Sequence, residues 1–131
     1  PLIEFIGEIG DEDKEEFLGN ALALLFPIDW PEPFGMVVIE AMATGTPVIA
    51  FNCGSVPELI AHGENGFIVN SVEEAVYAVN NLHLIKRKRC REKFETSYTS
   101  IVMADQYVKL YENVASAKSK LLKLNTYSQA K

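Results

Sequence analysis

The chain has 131 residues, enough for one domain, and 48% of them are apolar, enough for a core. A net charge of −6 argues against a nucleic-acid-binding protein. No apolar run approaches the length of a membrane span. Cys53 and Cys90 have neither metal-ligand nor redox spacing, which favours reduced thiols and a cytoplasmic protein.

Strands and helices alternate along the chain. The predicted strands are Leu2–Gly7, Ala21–Phe26, Pro47–Phe51 and Gly66–Val69. Acidic first turns, glycine stops and a capping box at residues 71–74 predict helices over residues 11–18, 35–44, 56–62, 71–82, 86–98 and 101–122. Three of the strands are uniformly apolar, which is typical of a parallel sheet covered on both faces. The pattern predicts an α/β, Rossmann-like fold with helices on both faces of a parallel sheet. Because the first strand is already under way at Pro1, we expect a piece of a longer protein.

Two carboxylates mark the loop of residues 27–34 and the helix that follows it. Ligands of such sheets bind beyond the carboxyl ends of the strands, and a helix start there suits an anion. Gly35 would let a ligand approach the backbone closely. Glu32 lies at the mouth of this loop, and Glu40 lies within an apolar helix, where an acid needs a partner. The hydroxyls of a sugar would serve, so the pair predicts recognition of a sugar and a phosphate together.

Each carboxylate also has a plainer interpretation. Glu32 alone could be a solvated loop acid. Glu40 alone could cap a neighbouring turn or pair with a base.

The segment Glu32–Ala43, with Gly45–Ala50 after it, resembles the signature of family 4 retaining glycosyltransferases. The likeness continues through residues 54–60 and 62–69, and covers residues 2 to about 70. These are enzymes with two Rossmann domains (the GT-B type) whose hallmark is two glutamates separated by seven residues, as Glu32 and Glu40 are.

The resemblance implies a role for each site residue. Glu32, the catalytic candidate, would bond hydroxyls of the donor sugar, and Glu40 would hold the ribose. The turn of residues 7–9 would lie near the base. The donor would be a nucleotide diphosphate sugar, with uridine diphosphate favoured, and neither a metal nor another cofactor would be required. Backbone N–H groups for the sugar and diphosphate would come from Phe34, Gly35, Met36 and Val37.

The same resemblance implies a partial C-terminal domain over residues 1–124 and a tail over residues 125–131. The family's strand order is 3-2-1-4-5-6. In that order Leu2–Gly7 is strand 3, and the next three predicted strands are strands 4, 5 and 6. Strands 1 and 2 and the family's Arg/Lys pair would lie upstream of Pro1, leaving an open edge on Ala21–Phe26. Ser55 stands where the family often has a second glycine, at a cost in backbone freedom.

A basic run ends the informative part of the sequence. The run could attract anionic lipid at the cytoplasmic face of a membrane, although a solvated helix face is the more usual explanation of such a run. Its bases are Lys86, Arg87, Lys88, Arg89, Arg91 and Lys93. We expect His62 to end a helix, His83 to lie at the surface and Trp30 to pack within its loop, with stacking on a ligand as the alternative. Two other classes stay open beside the transferase: a non-catalytic nucleotide-sugar-binding or regulatory module, and a structural interaction domain.

Overall fold

The computed structural model describes residues 2–128 of the chain, and side chains through residue 118. The chain divides into two compact units, Pro1–Glu95 and Thr96–Lys131. The strands are β1 (Leu24–Phe26), β2 (Val48–Phe51) and β3 (Gly66–Val69). The helices are α1 (Asp11–Asn20), α2 (Met36–Ala43), α3 (Val56–Leu59), α4 (Val72–Asn80), α5 (Arg87–Ser97) and α6 (Ser100–Ser128), with a 3₁₀ turn at Leu82–Leu84.

The three strands form one parallel sheet in the order β1-β2-β3. Leu24 pairs with Val48, and Val48 pairs in turn with Gly66, so the first residues of the three strands are in register. Helices connect the strands, as parallel pairing requires. The α/β prediction is confirmed, including the adjacency of the last three predicted strands. In the part of the chain that the structure describes, β1 has a strand on one side only.

The predicted strand Leu2–Gly7 is wrong as a strand. Residues 2–10 form neither helix nor strand, and Leu2, Ile3 and Phe5 are almost fully exposed. Strand conformation is held by hydrogen bonds to a neighbouring chain segment. Among the described residues none pairs with this segment, so its apolar composition alone does not give it strand structure.

Two other predicted elements are shorter than expected. The strand predicted over Ala21–Phe26 is confined to β1, and Leu22 and Leu25 are exposed, so this strand is not covered on both faces. The helix predicted to end at His62 stops at Leu59. His62 instead accepts a hydrogen bond from the Ile68 N–H at its Nδ1, 3.1 Å away, so a β-bridge segment replaces the predicted helix end.

The core of the first unit lies around β2 and β3. Ile49, Phe67 and Val69 are buried in one cluster with three side chains of the later segments, Ala78, Ile85 and Cys90. Helix α2 contributes further buried side chains, Val38, Ala41 and Met42. The Ser71 cap before α4 forms, since the Glu74 N–H donates to Ser71 Oγ over 3.2 Å, but the Glu74 carboxylate accepts from the Asn70 N–H over 2.7 Å in place of the Ser71 N–H that the capping box predicts. These contacts fix the strands whose carboxyl ends carry the predicted site.

The second unit is dominated by α6. This helix extends beyond the predicted end at residue 122, to Ser128, and so takes in part of the predicted tail. Its side chains through residue 118 are exposed apart from the half-buried Val102. The side chains of the predicted apolar positions Leu121 and Leu122, and the whole of residues 129–131, lie outside what the structure describes. Among the described residues, no helix is both long and apolar enough to span a bilayer.

Candidate functional site

Two loops at the carboxyl edge of the sheet are held together at the predicted site. One loop follows β1 and contains Glu32, and the other follows β2 and contains Gly54 and Ser55. The Ser55 N–H donates to the Glu32 carbonyl over 2.9 Å. A Cβ on Gly54, which has φ +54°, would stand 2.5 Å from the Glu32 nitrogen and closer still to its oxygen. Glycine is therefore required where the two backbones touch.

Helix α2 begins at this junction. Gly35 precedes it in the left-handed conformation, with φ 76°, and is buried. The first N–H groups of a helix have no acceptor within the helix, and in α2 these belong to Met36 and Val37. Met36 is exposed and Val37 half-buried, so this apolar helix is not buried at its first turn. The helix start is open to solvent, as an anion site must be.

The Glu32 carboxylate lies on this helix start. Its Oε1 accepts from the Gly35 N–H over 3.2 Å and from the Phe34 N–H over 3.4 Å. A carboxylate at a helix start is stabilised by the helix dipole and by the unbonded amides. Glu32 is therefore neither a free loop acid nor, in this structure, directed at an open cavity. It occupies two of the four N–H groups that the sequence resemblance gave to the donor.

Glu40 lies just over one turn further along α2, and its surroundings differ from the expected apolar burial. Its side chain is 29% exposed, and its Oε1 accepts from the Lys14 ammonium over 3.0 Å. Lys14 also donates to Asp11 over 2.9 Å. The hydrogen bonds to Asp11 and then to Glu40 raise the pKa of Lys14 above its usual value. Pairing with a base, one of the plainer interpretations of Glu40, is what the structure contains.

Glu40 and Lys14 face a groove of about 370 Å³ between α1, α2 and α5, which we call the α1–α2 groove. Its remaining lining residues are Asp11, Glu15, Leu18, Ala43, Thr44, Arg91 and Phe94. Sequence reasoning missed Lys14, although it is the only base among residues 1–85. Its position three residues after Asp11 indicates an ion pair within one helix turn, but the contact with α2 crosses 26 positions.

Ser55 behaves differently from the expectation attached to it. Its backbone has φ −74° and ψ −10°, which any residue adopts, so the position does not need a glycine. Its hydroxyl is buried and, within the described part of the chain, has no hydrogen-bond partner. The Ser55 oxygen lies 3.4 Å from the position that a Cβ on Gly35 would occupy, so it is close to the start of α2.

The basic run is only partly a solvated face. Arg87 donates to the carbonyls of Gly19 and Ala21 over 2.6 and 2.7 Å, and to the Thr46 hydroxyl over 2.9 Å. Arg91 donates to the Ala43 carbonyl and to Glu95. Lys88 and Arg89, by contrast, are well exposed and reach Glu92 at only 3.6 and 3.8 Å. Two of the six predicted membrane-facing bases therefore hold the fold together.

The aromatic and histidine side chains separate into site and surface positions. Trp30 and Phe34, in the loop before α2, are more than half exposed, so Trp30 does not pack into the loop as expected. His83 lies at the surface as predicted. His62 packs edge-on against Phe67. Of these four residues, Phe34 is the one that a hydrogen bond ties to the candidate site, through its N–H to Glu32.

The family profile described as glycosyl transferases group 1 matches residues 2–97. The chain belongs to this family. The fold is similar to that of sucrose-phosphate synthase from Thermosynechococcus elongatus, with a TM-score of 0.74 and 29% identity. That alignment covers 87% of this chain and 30% of the synthase.

The chain is also similar to curated glycosyltransferases and synthases. A phosphatidyl-myo-inositol mannosyltransferase of Mycobacterium leprae is 31% identical over 126 residues, which is 91% of this chain and 34% of the relative. An N-acetyl-alpha-D-glucosaminyl L-malate synthase of Bacillus anthracis is 29% identical over 130 residues, or 86% of this chain and 34% of the relative. The chain thus spans about a third of the length of these relatives.

Proposed function

We propose that the chain is the donor-binding part of a retaining, family 4 glycosyltransferase. The intact protein would transfer a hexose from a nucleotide diphosphate sugar, with uridine diphosphate as the favoured carrier, to a hydroxyl acceptor. One observation carries the proposal. In a group 1 glycosyl transferase chain, the open start of α2 lies at the carboxyl edge of the sheet, with Glu32 bound to it and Glu40 just over one turn further along the same helix.

The start of α2 is proposed to bind the diphosphate. The N–H groups of Met36 and Val37 would donate to phosphate oxygens, and the positive end of the helix dipole favours their charge. The exposed position of Met36 supports this role, because a ligand can reach that turn from solvent. Neither a metal nor another cofactor enters the proposal.

Glu32 is proposed to change partners when the donor binds. Its carboxylate now accepts from Phe34 and Gly35, the same N–H groups that the donor would use. An arriving phosphate or sugar oxygen would take over these N–H groups. The released carboxylate could then accept hydrogen bonds from hydroxyls of the donor sugar, next to the transferred bond.

Glu40 is proposed to bind the ribose. A rise of about 1.5 Å per residue puts Glu40 about 7.5 Å along α2 from Gly35. That separation suits a ribose attached to a diphosphate at the helix start. The partly exposed Glu40 side chain on the α1–α2 groove supports the role, since a ligand can enter there.

The acceptor side is proposed on different grounds. The name of the Mycobacterium leprae relative includes a phosphatidyl lipid, and the exposed Lys88 and Arg89 could meet anionic lipid. We propose a cytoplasmic protein whose basic run touches the membrane face through its exposed members, Lys86, Lys88 and Arg89. Arg87 and Arg91 are left out of this surface because backbone carbonyls bind them.

The test combines binding and transfer with the intact protein. Thermal shift with uridine, guanosine and adenosine diphosphate sugars identifies the donor, and a radiolabelled sugar assay follows transfer to acceptors. Glu32→Ala should lower turnover on the order of 10–100-fold through lost bonds to the sugar, while the affinity for the bare nucleoside diphosphate holds or rises. Glu64→Gln, an exposed loop carboxylate, is the matched control.

Two outcomes would contradict the proposal. Turnover that falls no further than nucleoside diphosphate affinity would remove Glu32 from the sugar. Donor binding without transfer, under all acceptor conditions, would favour the non-catalytic binding module instead.

A further inference from the structure

Lys14 has a special place in the charge distribution of the chain. It is the only Lys or Arg in the first 85 residues, which contain fourteen acids. It could pair with many of them, and in the structure it bridges Asp11 on its own helix and Glu40 on α2. The Asp11 side chain is 95% exposed, so the bond to Asp11 is a surface ion pair. The bond to Glu40 is the one that reaches the candidate site.

The contact uses one oxygen of the Glu40 carboxylate. Lys14 lies 3.0 Å from Oε1, and within the side chains that the structure describes Oε2 has no partner. A carboxylate has about four acceptor positions, and an ammonium fills one of them. The second oxygen therefore stays available, in a fixed direction, on the α1–α2 groove.

The charge around the groove favours hydroxyl groups over phosphate as partners for that oxygen. The carboxylates of Asp11, Glu15 and Glu40 line the groove, against the two cations Lys14 and Arg91. Arg91 is bound to the Ala43 carbonyl and to Glu95, and Lys14 is bound to two carboxylates. An anion would meet a net negative wall, whereas a hydroxyl can donate to Oε2 without adding charge.

We propose that Lys14 is a positioning residue for nucleoside recognition: it fixes the Glu40 carboxylate at Oε1 so that Oε2 accepts from a ribose hydroxyl of the donor. The inference rests on the proposed ribose role of Glu40. It adds a residue from α1 to a site whose other members belong to the loop before α2 and to α2 itself. Lys14 itself touches neither sugar nor phosphate.

The competing explanation is a purely structural tie between α1 and α2. Both explanations predict some loss of affinity when Lys14 is replaced, because both loosen Glu40. They differ in what is lost. A structural tie affects all nucleotides equally, whereas a positioned carboxylate affects only ligands that carry the hydroxyl it binds.

The experiment measures that difference in the intact protein. Calorimetry compares uridine, guanosine and adenosine diphosphate with their 2′-deoxy and 3′-deoxy forms. The ribonucleotide that binds most tightly is then measured in each variant, together with its own deoxy forms. The wild-type protein should prefer the ribonucleotide about tenfold or more, since a hydrogen bond to a charged acceptor is lost in the deoxy form. Glu40→Gln and Lys14→Met should each reduce the preference to about twofold or less, and Lys14→Arg should retain most of it. Lys14→Ala gives the same measurement if Lys14→Met does not fold.

The outcomes separate the two proposals. If Glu40→Gln loses the preference and Lys14→Met keeps it, Lys14 is only a tie between helices and the proposed function stands. If Glu40→Gln keeps the preference, or none of the three nucleotides binds, the ribose role of Glu40 is wrong and the inference fails with it.

Discussion

The amino end and the carboxyl end of α2 differ in what satisfies their polar groups. At the carboxyl end, donors from α5 bind the backbone: Arg91 reaches the Ala43 carbonyl and Arg87 the Thr44 carbonyl, the latter over 3.5 Å. Arg87 also binds the carbonyls of Gly19 and Ala21 at the adjacent end of α1. At the amino end, the partner is the carboxylate of Glu32, three residues before Gly35. A ligand anion could replace that carboxylate, but no common ligand replaces a guanidinium bound to three carbonyls. The amino end of α2 can therefore exchange its carboxylate partner for a ligand anion, whereas the carboxyl end keeps its arginine donors.

Gly54→Ala would break the amino end with the largest expected effect. The added methyl group would overlap the Glu32 backbone and would also require φ +54° from a residue that disfavours it. We expect a loss of about 3 kcal/mol in the free energy of unfolding, with loss of donor binding. Denaturant unfolding and calorimetry measure the two effects.

Gly63→Ala is the matched control for that substitution. Gly63 has φ +82°, but a Cβ there would meet no atom within 4 Å. It should cost only about 1 kcal/mol, the penalty for the left-handed conformation alone. Equal losses for the two variants would show that the contact between the loops after β1 and β2 adds nothing.

The two thiols of the chain differ in burial, and the second prediction uses this difference. Cys53 is half-buried in the loop of the amino end, whereas Cys90 is buried and its Sγ lies 3.4 Å from the Asn65 carbonyl. Burial raises the pKa of Cys90 from 9.0 to about 11. Above pH 9 the unfolded thiol therefore loses its proton while the folded one keeps it. The contribution of the Cys90 thiol to the free energy of unfolding should be fully present below pH 9. That free energy should fall by about 2–3 kcal/mol as the pH rises to about 11.

Denaturant unfolding between pH 8 and 11 measures that fall. The raised pKa of Lys14 acts in the same direction, so the slope in Cys90→Ala should be smaller but not zero. A slope unchanged in Cys90→Ala would contradict the assignment to this thiol. On the folded protein at pH 8, a thiol-reactive probe should label Cys53 and spare Cys90.

Arg87→Ala tests the arginine contacts beside the carboxyl ends of α1 and α2, with a somewhat smaller expected effect. The substitution leaves the carbonyls of Gly19 and Ala21 and the Thr46 hydroxyl without their donor. Because Arg87 is partly exposed, water replaces some of these bonds, and we expect a loss of about 2 kcal/mol in the free energy of unfolding. Arg89→Ala, on the exposed face of the same helix, should be neutral. The affinity for nucleoside diphosphate should follow the folded fraction alone.

Glu32→Ala has the smallest expected effect on stability. It removes a carboxylate from the helix start, which should cost about 1 kcal/mol in the free energy of unfolding. The same change frees the Phe34 and Gly35 N–H groups, so the affinity for inorganic phosphate should hold or rise. A lower phosphate affinity in a folded variant would show that Glu32 supports the anion site rather than occupying it.

Local patterns predicted the parts of the structure that depend on neighbouring residues. The bounds of β3 and the Ser71 cap are as predicted, and α2 is one residue shorter than predicted at each end. These features depend on strand composition, capping side chains and glycine stops, all visible within ten residues. The Glu32 bond to Gly35 is of the same local kind and could have been expected from its spacing of three.

Contacts between distant segments were not predictable in this way. Leu2–Gly7 has strand composition, but a strand also needs a neighbour, which composition does not reveal. The Lys14–Glu40 pair joins two helices across 26 positions, and the choice among several nearby acids depends on how α1 packs against α2. Similarly, no local pattern distinguishes Arg87, which binds carbonyls, from Arg89, which faces solvent.

The two methionines of α2, one near each end, differ in how readily they are oxidised. Met42 is fully buried, and its sulfur accepts from the Asn65 amide over 3.0 Å, whereas Met36 is 58% exposed in the first turn. Peroxide oxidises exposed thioethers first and converts them to polar sulfoxides. Oxidative damage to α2 therefore begins at the turn proposed to bind the diphosphate, and a reductase that restores methionine would find its target there at the surface.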